Sequence, residues 1–242
     1  MKAIILAGGK GTRGKPYTEY FPKAMTPIND KPLIDYIVRY LNSFDFIKEI
    51  IIISDFEGLG GQIKNYYNSF KNKKKITFVQ DTQSGTGGDL LHIENKLKED
   101  SEFLLWFVDN LCAIDLVKMR KVFKEKNSIA CIATRTKRNE ETGFAIVENG
   151  IIKEFKEKPT MKLQFSECLG IYILGKDIIK RIRAKEKQKE INLSFDILQQ
   201  LSKEGKISAY DIQNTEWIDV ESPMVLERHK KTVKKIIKQM GF

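Results

Sequence analysis

The stretch Lys2-Ala3-Ile4-Ile5-Leu6-Ala7-Gly8-Gly9-Lys10-Gly11-Thr12-Arg13-Gly14-Lys15-Pro16 begins as an apolar run and breaks at a pair of glycines. The run from Lys2 to Ala7 lacks polar alternation, the pattern of a strand covered on both faces. Gly8, Gly9, Gly11 and Gly14 follow, then Pro16, Pro22, Pro27 and Pro32, four of the chain's six prolines within seventeen residues. Proline removes a backbone donor and bars the helix interior, so residues 8–31 are expected as one long irregular loop. Loops of this length inside a compact domain usually carry function.

Gly9-Lys10-Gly11-Thr12-Arg13-Gly14 has the GxGxxG spacing of the dinucleotide fingerprint, and Asp55 closes the next strand. That fingerprint works only when a helix starts inside the glycine run and turns its N-terminus to a pyrophosphate. Pro16 and Pro22 forbid such a helix, which argues against a dinucleotide-dependent dehydrogenase. What remains is an extended loop of backbone N–H groups with Arg13 and Lys23 converging on it, suited to wrapping a polyphosphate.

Outward from the loop, Pro32 opens a helix whose Leu33, Ile34, Ile37, Val38, Leu41 and Phe44 share a face. Glu49–Ser54 and Phe103–Val108 read as further strands buried on both faces. Helical stretches at 59–70, 87–98 and 114–126 alternate with them, which predicts a mostly parallel sheet flanked by helices. Beyond Ser128 strands crowd together at 129–134, 143–147, 151–157 and 167–174, and Glu148-Asn149-Gly150 joins two of them as a hairpin. Helices are expected at 175–187 and 192–203. Ser222-Pro223 then opens a last one, with Val225, Leu226, His229, Val233, Ile236, Ile237 and Met240 on one stripe. The expectation is one α/β domain over 1–242.

The 242 residues are 41% hydrophobic and 31% charged, the balance of a globular protein. The early apolar run is too short for a signal segment or a membrane span, so a cytoplasmic chain is expected. Cys112, Cys131 and Cys168 are widely spaced and make neither a disulfide framework nor a zinc motif. The net charge of +10 comes from lysine-rich runs such as Lys71–Lys75 and Lys230–Lys238. None is interleaved with the aromatic residues that stack bases, so no nucleic-acid partner is expected.

The loop as written, with Pro22-Lys23-Ala24-Met25 behind it, resembles the signature of the sugar-1-phosphate nucleotidylyltransferases. The resemblance continues through Lys31-Pro32-Leu33-Ile34, Gln80 with Gly85-Thr86-Gly87-Gly88, Asp109-Asn110, Glu157-Lys158-Pro159 and Trp217-Ile218-Asp219. It implies a single Rossmann-like nucleotidyltransferase domain with an added antiparallel hairpin region and no separate C-terminal β-helix. Residues 1–110 would mainly bind nucleotide and 111–242 mainly sugar phosphate. It also implies Mg²⁺ as cofactor, a nucleoside triphosphate and a sugar 1-phosphate as substrates, and no membrane; a homo-oligomer is left open. Four positions depart from the pattern: Gly14 replaces a usual leucine, Val108 a glycine and Glu221-Ser222 a glycine-threonine, and Cys168 stands where several relatives have asparagine.

In the reaction so implied, a sugar-phosphate oxygen attacks the α-phosphorus of the triphosphate and pyrophosphate leaves. A phosphate monoester has its second pKa near 6, so the nucleophile is ionised at neutral pH and needs no general base. What the step needs is neutralisation of charge between two anions. By the resemblance, Arg13, Lys23 and Asp109 are catalytic. Leu6, Ala7, Gly8, Gly9, Gly11, Thr12, Arg13, Gln80 and Gly85 bind nucleotide. Gly143, Glu157, Lys158 and Gly170 bind sugar phosphate, and Asp109 and Asp219 hold the metal. Gln80 carries both donor and acceptor and suits the imide edge of uracil or thymine. Competing expectations are a catalytically weak nucleotide-sugar-binding homologue and a phosphocholine-type cytidylyltransferase.

Overall fold

The computed structural model describes residues 1–69 and 71–242. The chain runs β1 (Lys2–Leu6), three short 3₁₀ turns (Thr12–Gly14, Tyr17–Glu19, Lys23–Met25), β2 (Pro27–Ile28), β3 (Lys31–Pro32), α1 (Leu33–Asn42), β4 (Glu49–Ser54) and α2 (Gly61–Asn68). It continues with β5 (Lys75–Gln80), α3 (Gly85–His92), α4 (Glu94–Leu97), β6 (Glu102–Phe107), β7 (Asn110–Cys112), α5 (Leu116–Glu125), β8 (Ala130–Asn139), β9 (Phe144–Glu148), β10 (Ile151–Lys156) and β11 (Thr160–Gly175). It closes with α6 (Asp177–Arg183), a π-helical turn (Leu193–Leu198) leading into α7 (Gln199–Lys203), then β12 (Ile207–Asp211), β13 (Trp217–Asp219), α8 (Pro223–Arg228) and α9 (Lys230–Gln239).

Seven strands form the central sheet in the order β12-β8-β11-β6-β1-β4-β5, with β11 the one strand running against its neighbours. The parallel pairs β1–β4, β1–β6 and β4–β5 make β1 the strand from which the order runs both ways. The carboxyl end of such a strand opens a crevice between its two neighbours, and the glycine loop leaves β1 there. Both faces are covered, as the apolar runs predict. Ala3, Ile5, Ile50, Ile52, Leu104 and Trp106 pack on one side with α1 residues. Ile4, Ile51, Ile53, Phe103 and Leu105 pack on the other with Leu90, Ile178 and Ile182.

The prolines have the predicted effect: no α-helix forms before Leu33. The hairpin turn also forms as expected, with Asn149 and Gly150 at φ 51° and 78° joining antiparallel β9 and β10. Several boundaries differ. The helical stretch 59–70 is α2, with residue 70 outside the described residues; 87–98 divides at Ile93 into α3 and α4. The last helix divides at His229, which leaves helical geometry and turns its Nε2 to Glu141 Oε1 at 2.9 Å. Strand β11 starts at Thr160, because its first residues pair with the distal end of β8. Strand β12 is unmarked in the sequence: Ile207-Ser208-Ala209-Tyr210-Asp211 is short, and it lies on the sheet edge. Among the described residues no helix is long and apolar enough to cross a membrane.

Candidate functional site

The crevice at the end of β1 is shaped by close backbone approaches. A Cβ on Gly8 would fall 1.7 Å from Asp81 Oδ2, so the glycine leaves room for the Asp81 side chain to lie against the loop. Gly11 has φ 60°, its carbonyl accepts from Thr18 Oγ1 at 2.7 Å, and a Cβ there would meet Thr18 Cγ2 at 2.7 Å. This fold-back sets the turn Thr12–Gly14 and leaves the Arg13 side chain 60% exposed, where its Nη1 pairs with Glu221 Oε1.

Lys23 opens the third 3₁₀ turn and reaches inward. Its Nζ lies 3.0 Å from Asp109 Oδ2, with only 12% of the lysine side chain exposed. Asp109 lies between β6 and β7, and Asn110 fixes it: Asn110 Nδ2 donates to Asp109 Oδ1 at 2.8 Å and to Phe107 O at 3.1 Å. The other end of that amide, Oδ1, accepts from the Gly170 amide at 3.2 Å and Trp217 Nε1 at 2.9 Å. Gly170 is required here, since a Cβ would lie 2.3 Å from Asn110 Nδ2. Antiparallel pairing of β13 with β7 sets Asp219 opposite Asn110, and Val220 N donates to Asp109 O at 2.7 Å. The two aspartates expected to share a metal are thereby brought together.

Asp219 is electrostatically the less satisfied of the two. Its Oδ1 is buried without a hydrogen-bond partner. Burial first, and the Asp109 charge second, push its carboxyl above the ordinary range, while Lys23 and Arg13 pull the other way. An orphaned, desolvated carboxylate oxygen beside a second carboxylate is a donor set that a divalent cation satisfies. Mg²⁺ characteristically takes one or two protein carboxylates and completes its shell with water and substrate phosphates. Among the described residues no group of three or more His, Cys, Asp or Glu could hold a metal ion.

Two cavities flank Gly8-Gly9. One of about 190 Å³ is lined by Ala7, Lys10, Lys23, Asp55 and Gln83. The other, about 270 Å³, is lined by Leu6, Gly85, Thr86, Asp81 and Asp89. The Gln80 side chain is committed to the protein: Oε1 accepts from Phe56 N at 2.9 Å and Nε2 donates to Asp55 Oδ1 at 2.9 Å. Reading a base with Gln80 therefore requires an exchange of partners, whereas Gln83 already faces both cavities.

A cavity of about 550 Å³ lies on the other side of Asp219, with Arg135, Thr142, Glu167, Trp217 and Glu221 in its wall. Arg135 stacks over the Trp217 ring at 4.5 Å and pairs with Glu167 at 2.6 Å. Of the expected sugar-phosphate group, Gly143 and Glu157 meet each other: a Cβ on Gly143 would lie 3.0 Å from Glu157 Oε2. Lys158 N donates to Thr142 O at 3.3 Å. These three stand on the exposed β9–β10 arm beside the cavity rather than in its wall, whereas Gly170 lies against Asn110.

Arg13, Lys23 and the Asp109–Asp219 pair thus meet at the mouth of a glycine loop on the reversal point of a parallel sheet. A model of the nucleotidyl transferase family matches residues 2–235. The chain belongs to that family. It is 30% identical over 240 residues to the UTP–glucose-1-phosphate uridylyltransferase of Synechocystis sp., covering 91% of this chain and 60% of that protein. It is 32% identical over 241 residues to the bifunctional protein GlmU of Methanocaldococcus jannaschii, covering 98% and 55%. The chain therefore spans little more than half the length of these relatives. In fold it is similar to a crystal structure from Bacillus anthracis described as a candidate glucose-1-phosphate thymidylyltransferase, with TM-score 0.73, 23% identity, and 100% and 99% coverage. The structure of a UDP-glucose pyrophosphorylase is similar too, at TM-score 0.67, 24% identity and 98% coverage of each chain.

Asn110 is the residue that sequence reasoning passes over. It stands in the quoted Asp109-Asn110 pair, yet nothing in the sequence connects it to Gly170 and Trp217, which its amide binds from 60 and 107 residues away.

Proposed function

We propose that this nucleotidyl transferase condenses a sugar 1-phosphate with a nucleoside triphosphate, giving a nucleotide-diphosphate sugar and pyrophosphate. The observation that carries this reading is the convergence of Lys23, Asp109 and Asp219, with one Asp219 oxygen buried and unpartnered, next to a glycine loop that carries Arg13. Asp109 and Asp219 would hold Mg²⁺, which when bound supplies positive charge to phosphate oxygens. Arg13 offers a planar fork for the triphosphate and Lys23 a point charge fixed against Asp109. The sugar phosphate would enter from the cavity beside Trp217, with Glu157 and Lys158 meeting it from the β9–β10 arm. No base is needed, because the attacking phosphate oxygen is already ionised.

Coupled pyrophosphate release, measured over a panel of nucleoside triphosphates and sugar 1-phosphates with Mg²⁺, tests the reading. Turnover of at least one pair, lost on chelation, is expected. Turnover of phosphocholine with cytidine triphosphate, and of no sugar phosphate, would refute it.

A further inference from the structure

Two of the chain's departures from the family pattern meet in space. A Cβ placed on Gly14 would lie 2.7 Å from Thr18 Cγ2, so glycine keeps the Thr12–Gly14 turn close against Thr18, and the backbone oxygen of Glu221, in the segment that follows β13, stands at ordinary contact distance, 3.4 Å from that position. There the Glu221 carboxylate pairs with Arg13 Nη1. The Glu221 amide donates to Asp219 O at 3.0 Å, which ties the ion pair to the strand carrying the unpartnered carboxylate. Glu221 also lines the wall of the 550 Å³ cavity, and its side chain is 36% exposed, so an entering anion reaches both partners.

We propose that Glu221 is a positioning residue that holds Arg13 against the Asp219 turn in the free protein and is displaced from it by the triphosphate. This rests on the proposed function, in which Arg13 meets the triphosphate. A guanidinium presents its N–H donors in one plane, and carboxylate and phosphate oxygens compete for the same fork. The triphosphate carries several charges against one and wins the exchange. It must still break the ion pair and settle beside a like charge, so Glu221 weakens polyphosphate binding. Ion pairs this open to solvent are weak, so the effect is a few-fold in affinity. The glycine at 14 keeps the turn compact against Thr18, and the glutamate at 221 holds the guanidinium of Arg13, the residue before that glycine.

The test is calorimetric titration of inorganic tripolyphosphate, without metal, into the wild type, Glu221→Gln, Glu221→Asp, Arg13→Ala and the Arg13→Ala/Glu221→Gln double variant. Glu221→Gln is expected to bind about three- to fivefold tighter than wild type. Glu221→Asp keeps the charge and should stay close to wild type. In the Arg13→Ala background the glutamine should change affinity by less than about twofold, because no guanidinium remains to compete for. In turnover assays the gain from Glu221→Gln falls mainly in the KM for the triphosphate. Equal tightening with and without Arg13 overturns the proposal, since the carboxylate then only repels anions; so does unchanged or weaker binding by Glu221→Gln. If Arg13→Ala binds more weakly than wild type while the Glu221 variants bind as wild type does, this inference falls alone; if all five bind alike, the role of Arg13 toward the triphosphate falls with it. If none binds it, with or without added Mg²⁺, the triphosphate site of the proposed function falls with it.

Discussion

Asp89 provides a test of how the fold tolerates charge beneath the glycine loop. It lies on α3, 6% exposed, in the wall of the 270 Å³ cavity. Thr82 N and Oγ1 donate to its Oδ1 at 3.3 and 3.2 Å. Burial, and after it the charge of Asp81, outweigh these bonds and raise its pKa from 3.8 to about 6. The difference, 6 − 3.8, is about two units, and at 1.36 kcal/mol per unit the ionised carboxylate costs the folded protein roughly 3 kcal/mol. Between pH 3.8 and 6 the native state keeps a proton that the unfolded chain has lost, so stability from this group declines as pH rises through that window and levels off above it. Asp89→Asn keeps the shape and the oxygen that accepts from Thr82, and it cannot ionise. We expect the variant to be about 2–3 kcal/mol more stable than wild type at pH 8, with the gain shrinking towards zero near pH 4. Urea unfolding followed by circular dichroism at pH 4.5, 6 and 8 measures it. A gain that does not change with pH, or a loss of stability at pH 8, would mean that the carboxylate is not the source of the cost.

Three further outcomes follow from the site. Arg13→Ala should lower turnover roughly a hundredfold or more, as loss of a contact to charge developing in transfer does, and near-normal pyrophosphate release would remove Arg13 from the chemistry. Asp109→Asn should reduce activity at least as far while the melting temperature moves by only a few degrees; a structural carboxylate would show the reverse, and one sample measured both ways decides. Gln80→Ala removes one of the two acceptors of the Phe56 amide, which keeps Ser54 O at 3.0 Å, and should cost no more than about 1 kcal/mol of stability while the ranking of nucleoside triphosphates stays that of the wild type. If the ranking is erased instead, Gln80 does exchange its protein partners for a base.

The sheet was legible because its strands are uninterrupted: Ile50-Ile51-Ile52-Ile53 and Phe103-Leu104-Leu105-Trp106 have only one environment that suits them, coverage on both faces. The glycine loop was legible because glycine and proline act locally, through φ and the missing donor, and those effects do not wait for tertiary structure. Elements whose form depends on distant partners were not. The break at His229 coincides with its contact to Glu141, eighty-eight positions earlier, and a periodic stripe gives no sign of it. The length of β11 depends on the end of β8, and the edge strand β12 depends on a neighbour that a five-residue stretch of mixed polarity cannot announce. Gln80 shows the same limit at the level of a side chain, since a free donor and acceptor in the sequence become hydrogen bonds to Asp55 and Phe56 in the fold.

Asn110 explains why the expected residues assemble even though they are scattered. Its amide spends each end on a different part of the site, holding Asp109 with Nδ2 while Oδ1 gathers the Gly170 amide and the Trp217 indole. Gly170 tolerates that approach only without a side chain, and Trp217 begins the strand whose last residue is Asp219. This buried carboxamide therefore joins the backbone pairing of β13 with β7 in linking the two aspartates. Asn110→Asp would keep the shape but convert a donor into a third carboxylate oxygen facing Asp109, so repulsion should open the pair. Asn110→Ala would leave the Trp217 N–H and the Gly170 N–H without acceptors, at about 1–3 kcal/mol each when buried. We expect the aspartate to lose turnover beyond what its loss of stability accounts for, and the alanine to lose mainly stability. Denaturation midpoints and pyrophosphate release measured on the same two proteins separate the effects, and equal losses of both in both variants would show that Asn110 braces the fold without setting the aspartates.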